Sequence, residues 1–394
     1  MPLELSRRRF GALAGMGVVG AALPAARATT LDAPAPAASP SAPPRPAGAE
    51  PGGPLRLHFN ENPYGPAPAA RQELARLAEI AWQYPSGRSG ELREAIAAHH
   101  GIAPERVLLG NGSAELLQLA ARAYLADDRP LVVADPTYEA LEQYARGLGA
   151  PVVQVPLDAA WGHDVERMAA VDGAGLLYLC NPNNPTATLT PRAAVRRALE
   201  RAPGDGAVIV DEAYHHYVLS ADYESAVGLD EQHPRLVVLR TFSKIYGLAG
   251  LRIGYAVAHP EVVRRLAALQ SRNNLNIAAL TAARAALADA AWVEEHRVRN
   301  AETRAATVAA LAERGLSTLP SEASFFMVDL GREVGAVGEA MRAAGVAVGR
   351  PFPPLVRHLR VTVGRPEQMK AFLAALDQAL AAAAAIGSPG RSPD

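Results

Sequence analysis

Residues 236–258 read LVVLRTFSKIYGLAGLRIGYAVA, so that two short apolar runs enclose a polar stretch that contains Lys244. The two runs, Leu236–Leu239 and Ile253–Val257, have the length of buried strands. Five similar runs precede them, at Val107–Leu109, Leu131–Ala134, Val152–Val155, Leu176–Leu179 and Ala207–Val210. Helical patterns separate most of these runs, and strands that alternate with helices need crossover connections. The pattern therefore predicts an α/β fold with a mainly parallel seven-stranded sheet that is covered by helices on both faces.

Helical patterns and further apolar runs extend this picture. Among the helical patterns are Glu115–Tyr124 and Thr190–Arg201, the latter with Thr190 as its predicted N-cap and Pro191 as its first helical residue. A long helical region at about 278–314 follows the last of the seven runs. Further apolar runs and a final helix come after it, at Phe325–Asp329, Val346–Val348, His358–Val363 and about 366–384. This second alternation predicts a smaller α/β domain.

Composition and charge narrow the class of protein. The chain has 394 residues, and its 39 basic and 40 acidic residues give a net charge of -1. Such a balance offers no general attraction to phosphate backbones, so a nucleic-acid partner is not expected. Cys180 is the single cysteine, which excludes an internal disulfide and a multi-cysteine metal or iron–sulfur site. The histidines show no spacing typical of a metal site, so no metal is expected.

The N-terminus indicates export. Residues 1–28 contain the pair Arg7-Arg8, then a mildly apolar stretch, and resemble a twin-arginine signal peptide. Such signals engage the twin-arginine translocation machinery, so we expect a periplasmic or extracellular protein. Residues 29–54 are rich in Ala and Pro, which predicts an extended linker. Because no apolar run reaches the roughly 18 residues of a spanning helix, stable membrane association is not expected.

Polar residues follow several of the predicted strands directly, at the edge where α/β sheets bind ligands. A turn at Gly110–Glu115 begins a helix whose N-terminal N–H groups suit a phosphate. The same residues are equally typical of a turn and helix cap that bind no ligand. An asparagine- and proline-rich turn spans residues 180–186, and Asp211–Tyr214 place a carboxylate at the next strand end. Residues 240–244, with Arg252 after them, bring together a lysine, two hydroxyls and an arginine.

One ligand would use all of these groups. Pyridoxal 5′-phosphate offers a phosphate for the helix N-terminus, Ser243 and Arg252, an aldehyde for a lysine, and a ring nitrogen for a carboxylate. Asp211 would keep the ring nitrogen protonated, so that the ring can accept electrons. Lys244 would form a Schiff base, which requires burial and neighbouring positive charge to lower its pKa. The other lysine, Lys370, lies on the final amphipathic helix and is expected to be solvated.

From about residue 57 to residue 376 the sequence resembles the fold-type I, pyridoxal phosphate-dependent aminotransferases of class I/II, and within them the histidinol-phosphate aminotransferase branch. The motifs that carry this resemblance occur in the expected order, at residues 57–66, 84–87, 181–186, 211–214, 243–244, 248–254 and 360–364. The resemblance implies an enzyme that moves an amino group between an amino acid, or a histidinol-phosphate-like amine, and a 2-oxo acid. The implied divisions of the chain are an N-terminal lid with part of the small domain (55–83), a large cofactor-binding domain (84–285), the rest of the small domain (286–386) and a disordered tail (387–394).

The family pattern also implies roles for individual residues. Lys244 would bind the cofactor aldehyde and carry a proton between Cα and C4′, Asp211 would pair with the ring nitrogen, and Tyr214 would contact the ring hydroxyl. The other residues implied to hold the cofactor are Ser113, Ala114, Glu115, Tyr138, Asn184, Thr241, Ser243 and Arg252. Tyr84 would reach the phosphate from a neighbouring subunit, which makes a homodimer part of the site.

Four residues are implied to bind substrate. Arg360 would clamp the substrate carboxylate, and Asn60 and Tyr64 belong to the lid. Arg350 would face the distal end of the substrate side chain, because Gly349 stands where the branch is expected to place an arginine for a substrate phosphate. We therefore expect ordinary amino acids to be better substrates than histidinol phosphate.

Two other functions are compatible with the same residues. Racemases, lyases and oxidases of this fold keep the same lysine, aspartate and phosphate site, because the cofactor supplies the chemistry and the surrounding residues steer it. A cofactor-sensing regulatory module of aminotransferase fold is the second alternative. Such a module would carry a DNA-binding helix-turn-helix where this chain has an export signal and a proline-rich linker.

Overall fold

The computed structural model describes residues 53–85, 87–201 and 204–386, with side chains up to residue 382. The predicted signal peptide, all but two residues of the predicted linker and the predicted C-terminal tail lie outside these residues. Within the described part of the chain, no helix combines the length and the hydrophobicity needed to cross a membrane.

Strands occur along the whole described chain. They are β1 (Leu55–Leu57), β2 (Val107–Gly110), β3 (Leu131–Asp135), β4 (Val152–Pro156), β5 (Leu176–Cys180), β6 (Ala207–Asp211), β7 (Leu236–Thr241), β8 (Gly254–Ala258), β9 (Ser317–Thr318), β10 (Phe325–Asp329), β11 (Val346–Val348) and β12 (His358–Thr362). Seven of them form one sheet in the order β2-β8-β7-β6-β5-β3-β4. β8 runs antiparallel to both of its neighbours, and the other six strands run parallel to one another. This confirms the predicted α/β fold with a mainly parallel sheet of seven strands.

Helices connect most of the strands. They are α1 (Pro68–Ala75), α2 (Leu77–Ile80), α3 (Arg88–His100), α4 (Gly112–Tyr124), α5 (Ala140–Gly147), α6 (Val165–Ala169), α7 (Arg192–Glu200), α8 (Pro260–Ala267), α9 (Ile277–Leu287), α10 (Ala290–Ala312), α11 (Val334–Ala343) and α12 (Pro366–Ile386). Short 3-10 turns lie at Pro104–Arg106, His215–Tyr217, Leu229–Glu231 and Ala249–Leu251.

Successive residues of the central strands alternate between two hydrophobic cores. In β5, Leu177 and Leu179 pack in one core with residues of α3, α6, α7 and α9, whereas Leu176 and Tyr178 pack in the other with residues of α4, α5 and α8. Side chains of a strand alternate between its faces, so a sheet covered on both faces must be apolar along its strands. Polar side chains therefore collect where the strands end.

A third core lies beside the seven-stranded sheet. The antiparallel sheet β12-β10-β9 and the parallel pair β1-β11 contribute Phe326, Leu359 and Val346 to it, and Phe372 comes from α12. These elements form the second, smaller alternation of strands and helices that the sequence predicts. The domain boundaries given above stay predictions.

Two helix predictions differ from the structure. α7 begins after Pro191, because the hydroxyl of Thr190 lies 2.7 Å from Nδ1 of the buried His163 and does not cap the helix. The helical region expected at about 278–314 consists of α9 and α10. The Asp289 side chain accepts a backbone N–H in the first turn of α10 and so marks the start of a separate helix.

Candidate active site

A cavity of about 750 Å³ lies where β3, β5, β6 and β7 end. Residues of β12 and of the segment after β1 complete its wall. Most of the predicted site residues line it, namely Asn60, Ser113, Ala114, Tyr138, Asn184, Asp211, Tyr214, Thr241, Ser243, Lys244, Arg252, Arg350 and Arg360. The fold therefore brings these side chains to one place, although they come from distant parts of the sequence.

Lys244 follows β7 and extends into the cavity. Its Nζ donates to the carbonyl oxygen of Phe59 at 3.3 Å and lies 5.3 Å from the centre of the Tyr214 ring. Burial disfavours the ammonium form and the positive charge of Arg360 repels it, so the pKa of Lys244 falls to about 8. The side chain is thus a neutral amine, and hence a nucleophile, in a larger fraction of molecules than an exposed lysine would be.

Asp211 is the last residue of β6 and is fully buried. Its carboxylate accepts the Tyr178 hydroxyl at 2.9 Å and the Ala213 N–H at 3.1 Å, and both donors are neutral. Because burial disfavours the charged form, the pKa of Asp211 rises to about 6. A buried carboxylate without an ion pair is costly, and a protonated ring nitrogen would supply the missing positive charge. The aspartate therefore fits the predicted cofactor ring.

A cradle for a phosphate lies at the N-terminus of α4. Gly112 has a positive φ of 73°, and a Cβ at this position would collide with the guanidinium of Arg252. Nη1 of Arg252 donates to the hydroxyl of Ser243 at 3.5 Å, and the Thr241 hydroxyl accepts the Ser243 N–H at 3.0 Å. The helix N-terminus, the guanidinium and the hydroxyls thus surround one anion-sized space, which fits the predicted phosphate group.

Arg360 lies on β12 at the other side of the cavity and is buried. It donates to the side-chain oxygen of Asn184 at 2.7 Å and to the carbonyl oxygen of His58 at 2.6 Å. Both partners are neutral, and Nε has no hydrogen-bond partner among the described residues. Burial lowers the pKa of Arg360 to about 10, so the group is still a cation at neutral pH. A buried cation held only by neutral groups is a ready site for an anionic ligand.

The segment after β1, which is the predicted lid, is bound to two sides of the cavity through Asn60. Its side chain donates to the Tyr214 hydroxyl at 3.1 Å, and its backbone N–H donates to the Thr362 hydroxyl at 2.9 Å. Tyr214 is buried, with its ring 5.0 Å from that of Phe325. Asn60 therefore fixes the position of the tyrosine that is predicted to contact the cofactor.

Three predicted site residues do not line the cavity. The carboxylate of Glu115 turns back to accept the N–H of Asn111 at 2.6 Å and the side chain of Asn274 at 2.7 Å, so only its backbone remains near the cradle. The ring of Tyr64 packs against His296 at 4.9 Å, which places it outside the wall of this cavity, and its substrate contact stays a prediction. Tyr84 is 79% exposed.

Some residues of the site were not predicted from the sequence. Tyr178 donates to Asp211, and its hydroxyl within an otherwise apolar strand was the signal that a polar partner lies nearby. Glu139 lines the cavity and pairs with Arg350, a contact that no sequence pattern indicates. The adjacent His215 and His216 lie within a buried network with Arg240 and Tyr246. No cluster suited to a metal ion occurs among the described residues.

Comparison with known proteins gives consistent results. The family model "Aminotransferase class I and II" matches residues 53–376. The histidinol-phosphate aminotransferase of Symbiobacterium thermophilum is 42% identical over 83% of this chain and 90% of its own, and that of Moorella thermoacetica is 38% identical over 83% and 86%. The crystal structure of histidinol-phosphate aminotransferase from Sinorhizobium meliloti in complex with pyridoxal-5′-phosphate superposes with a TM-score of 0.79 at 29% identity, covering 84% of this chain and 91% of that one.

The lowered pKa of Lys244 predicts how fast the cofactor-free protein takes up pyridoxal 5′-phosphate as the pH changes. Only the neutral amine attacks an aldehyde, so the rate should rise with pH and reach half of its maximum near pH 8. Stopped-flow absorbance measures this rate. The same measurement on lysine in free solution, acetylated at its α-amino group so that only the side-chain amine reacts, corrects for ionisation of the aldehyde itself. Arg360→Met should move the midpoint upward, because it removes a positive charge. A midpoint near that of free lysine would contradict the assignment.

Asp211→Asn should retain the cofactor but lower kcat by several orders of magnitude, roughly 10³-fold or more, because a neutral amide cannot hold a proton on the ring nitrogen. The cofactor-free variant should melt no lower than the wild type, since the change removes a buried charge whose hydrogen-bond donors are neutral. Steady-state kinetics and thermal melts test both parts. A near-normal kcat would refute the role.

Proposed function

The chain belongs to the class I and II aminotransferase family, and on that premise we propose that its substrates are an α-amino acid and a 2-oxo acid whose carboxylates bind Arg360. Transamination that depends on pyridoxal phosphate is the chemistry of this family, and the cavity fits the cofactor at its ring nitrogen, aldehyde and phosphate. The observation that carries the proposal is the buried guanidinium of Arg360, whose Nε has no partner among the described residues.

Several side chains of the cavity have a part in this reaction. When bound, pyridoxal phosphate supplies an aldehyde that takes up the amino group and a ring that accepts electrons from the substrate Cα. Lys244 would hold the aldehyde in the absence of substrate, and its amine would then remove or return the proton at the substrate Cα. Asp211 would keep the ring nitrogen protonated. Arg252, Ser243, Thr241 and the N-terminus of α4 would hold the phosphate.

Arg360 explains how one cavity accepts both partners of a transamination. The amino acid and the 2-oxo acid share an α-carboxylate, and a guanidinium binds a carboxylate with two parallel hydrogen bonds. The side chain of Asn184 and the carbonyl of His58 already hold the guanidinium in place, so little conformational freedom is lost on binding.

Spectral conversion of the holoenzyme tests the reaction. An amino donor should shift the cofactor absorbance to that of the amine form, and a 2-oxo acid should reverse the shift. Reversal of the shift by a 2-oxo acid distinguishes transamination from racemase, lyase and oxidase reactions, which need no 2-oxo acid. We further expect ordinary amino acids to exceed histidinol phosphate in kcat/KM, because Arg350, the arginine near the displaced phosphate position, is paired with Glu139. Higher efficiency with histidinol phosphate would show that the chain shares the substrate of its named relatives.

Arg360→Lys should lower kcat/KM for L-tyrosine roughly 30- to 1000-fold, because a bidentate charge-assisted contact is lost. Tyramine, which lacks the carboxylate, serves as the matched donor, and its smaller rate should change little. Parallel steady-state assays of both donors provide the comparison. Equal losses for the two donors would mean that Arg360 does not bind the carboxylate.

We also propose a homodimer in which Tyr84 reaches the partner's cofactor phosphate. Tyr84 and Trp82 are 79% and 80% exposed in the single chain, which is unusual for large aromatic side chains and supports a covering partner. Sedimentation analysis of the holoenzyme tests the dimer. Mixing Tyr84→Phe with the inactive Lys244→Ala tests whether the tyrosine acts across subunits.

Export by the twin-arginine route is proposed from Arg7-Arg8 in the predicted signal peptide. Changing both residues to Lys should leave the protein uncleaved in the cytoplasm, whereas the wild type should reach the periplasm with its cofactor bound. Arg9→Lys is the matched control and should not block export, because the pair is kept. Cell fractionation followed by mass measurement decides the question. A cytoplasmic, uncleaved wild type would overturn the proposal.

A further inference from the structure

Two charged side chains meet across the cavity wall. Glu139 lies directly before α5, beyond the end of β3, and Arg350 follows β11 of the smaller pair of strands. Nη2 of Arg350 lies 2.5 Å from Oε2 of Glu139, and both residues line the cavity. The pair therefore joins the edge of the large sheet to the part of the fold that carries Arg360.

Phe352 places this pair next to the carboxylate clamp. The guanidinium carbon of Arg350 lies 4.4 Å from the centre of the Phe352 ring, and that of Arg360 lies 4.5 Å from the same centre. One aromatic ring thus contacts both arginines. A substrate whose carboxylate is bound by Arg360 has Phe352 and then Arg350 as its neighbours along this wall.

The two arginines differ in what already binds them. Arg360 is buried and held by an amide and a carbonyl, whereas Arg350 is paired with a carboxylate. The side chains of Glu139 and Arg350 are each 52% exposed, so a ligand in the cavity can reach both of them. Arg360 thus forms no ion pair with the described residues, whereas Glu139 already neutralises Arg350.

We propose that Glu139 is a specificity-determining residue that disfavours donors with anionic side chains, so that the enzyme selects amino acids whose side chains are uncharged or cationic. This inference rests on the proposed function, because it concerns the far end of a substrate whose carboxylate is on Arg360. An acidic side chain would have to displace Glu139 from Arg350 and would then lie beside a second negative charge. An uncharged side chain can pack on Phe352 and leave the pair intact.

A purely structural role for Glu139 makes a different prediction. Acidic residues stabilise helix N-termini, but the Glu139 side chain makes no capping hydrogen bond to α5. Glu142, in the first turn of the same helix, has the same charge and does not line the cavity. Glu142→Gln is therefore the matched control for any effect that acts through the helix.

The experiment compares L-glutamate with L-glutamine, which have nearly the same shape but differ in side-chain charge. The kcat/KM ratio of glutamate to glutamine is measured with the holoenzyme of the wild type, Glu139→Gln, Glu142→Gln and Glu139→Gln/Arg350→Gln. We expect Glu139→Gln to raise the ratio roughly 5- to 50-fold, because it frees Arg350 and removes a repelling charge. The double variant should lose this gain, and Glu142→Gln should keep the wild-type ratio.

The outcomes separate this inference from the proposed function. An unchanged or lower ratio in Glu139→Gln, or an equal rise in Glu142→Gln, would overturn the inference while transamination stands. A raised glutamate-to-glutamine ratio that persists in Glu139→Gln/Arg350→Gln would also overturn the inference, because the gain would not depend on Arg350. If none of the amino donors tested shifted the cofactor absorbance of the wild-type holoenzyme to that of the amine form, both the proposed function and this inference would be wrong.

Discussion

Burial of charge at the edge of an apolar sheet is the constraint on which this site depends. β6 and β7 are paired in parallel with Asp211 opposite Leu239, so the chain beyond these two strands brings Asp211 and Lys244 to the same cavity. Aliphatic side chains fill both faces of the sheet, so water cannot reach the Asp211 carboxylate or the Lys244 amine through the sheet. The hydrogen-bond partners of both groups are neutral, so a ligand bound in the cavity would have to balance their charges.

Two charged side chains close to this site are paired with each other and stabilise the fold. Glu212 follows Asp211, and Arg240 precedes Thr241, and these two buried side chains form an ion pair in which Nε of Arg240 donates at 2.8 Å. The pair joins the residue that follows β6 to a residue of β7, close to the predicted catalytic residues Asp211 and Lys244. Removing one partner of such a pair leaves a buried charge uncompensated, so loss of either side chain would destabilise this part of the sheet. The ends of β6 and β7 thus carry a neutralised structural pair, Glu212 and Arg240, near the predicted reactive residues Asp211 and Lys244.

The sequence predicts the parts of the molecule that depend on local pattern. Short apolar runs give the seven strands, and the polar residues that follow them give Lys244 and Asp211. The separate start of α10 was not predicted, because an alanine-rich stretch offers little to mark the boundary at Asp289. The family pattern implies that Tyr64 binds substrate, and tertiary packing, which the pattern does not record, turns its ring toward His296. The contact between Glu139 and Arg350 joins residues 211 positions apart, and no periodicity records such a pairing.

The pairing of β1 with β11 sets an order in time for assembly of the molecule. Leu55 lies opposite Val346, and the backbone of Asn60 is bound by Thr362, so the first described strand and the lid find their partners near the end of the chain. Contacts of such high sequence separation form late, because the long intervening loop must be closed first. Synthesis must therefore proceed through at least residue 362 before this wall of the cavity can form. A cavity that needs both walls to bind its cofactor would bind it only after that point.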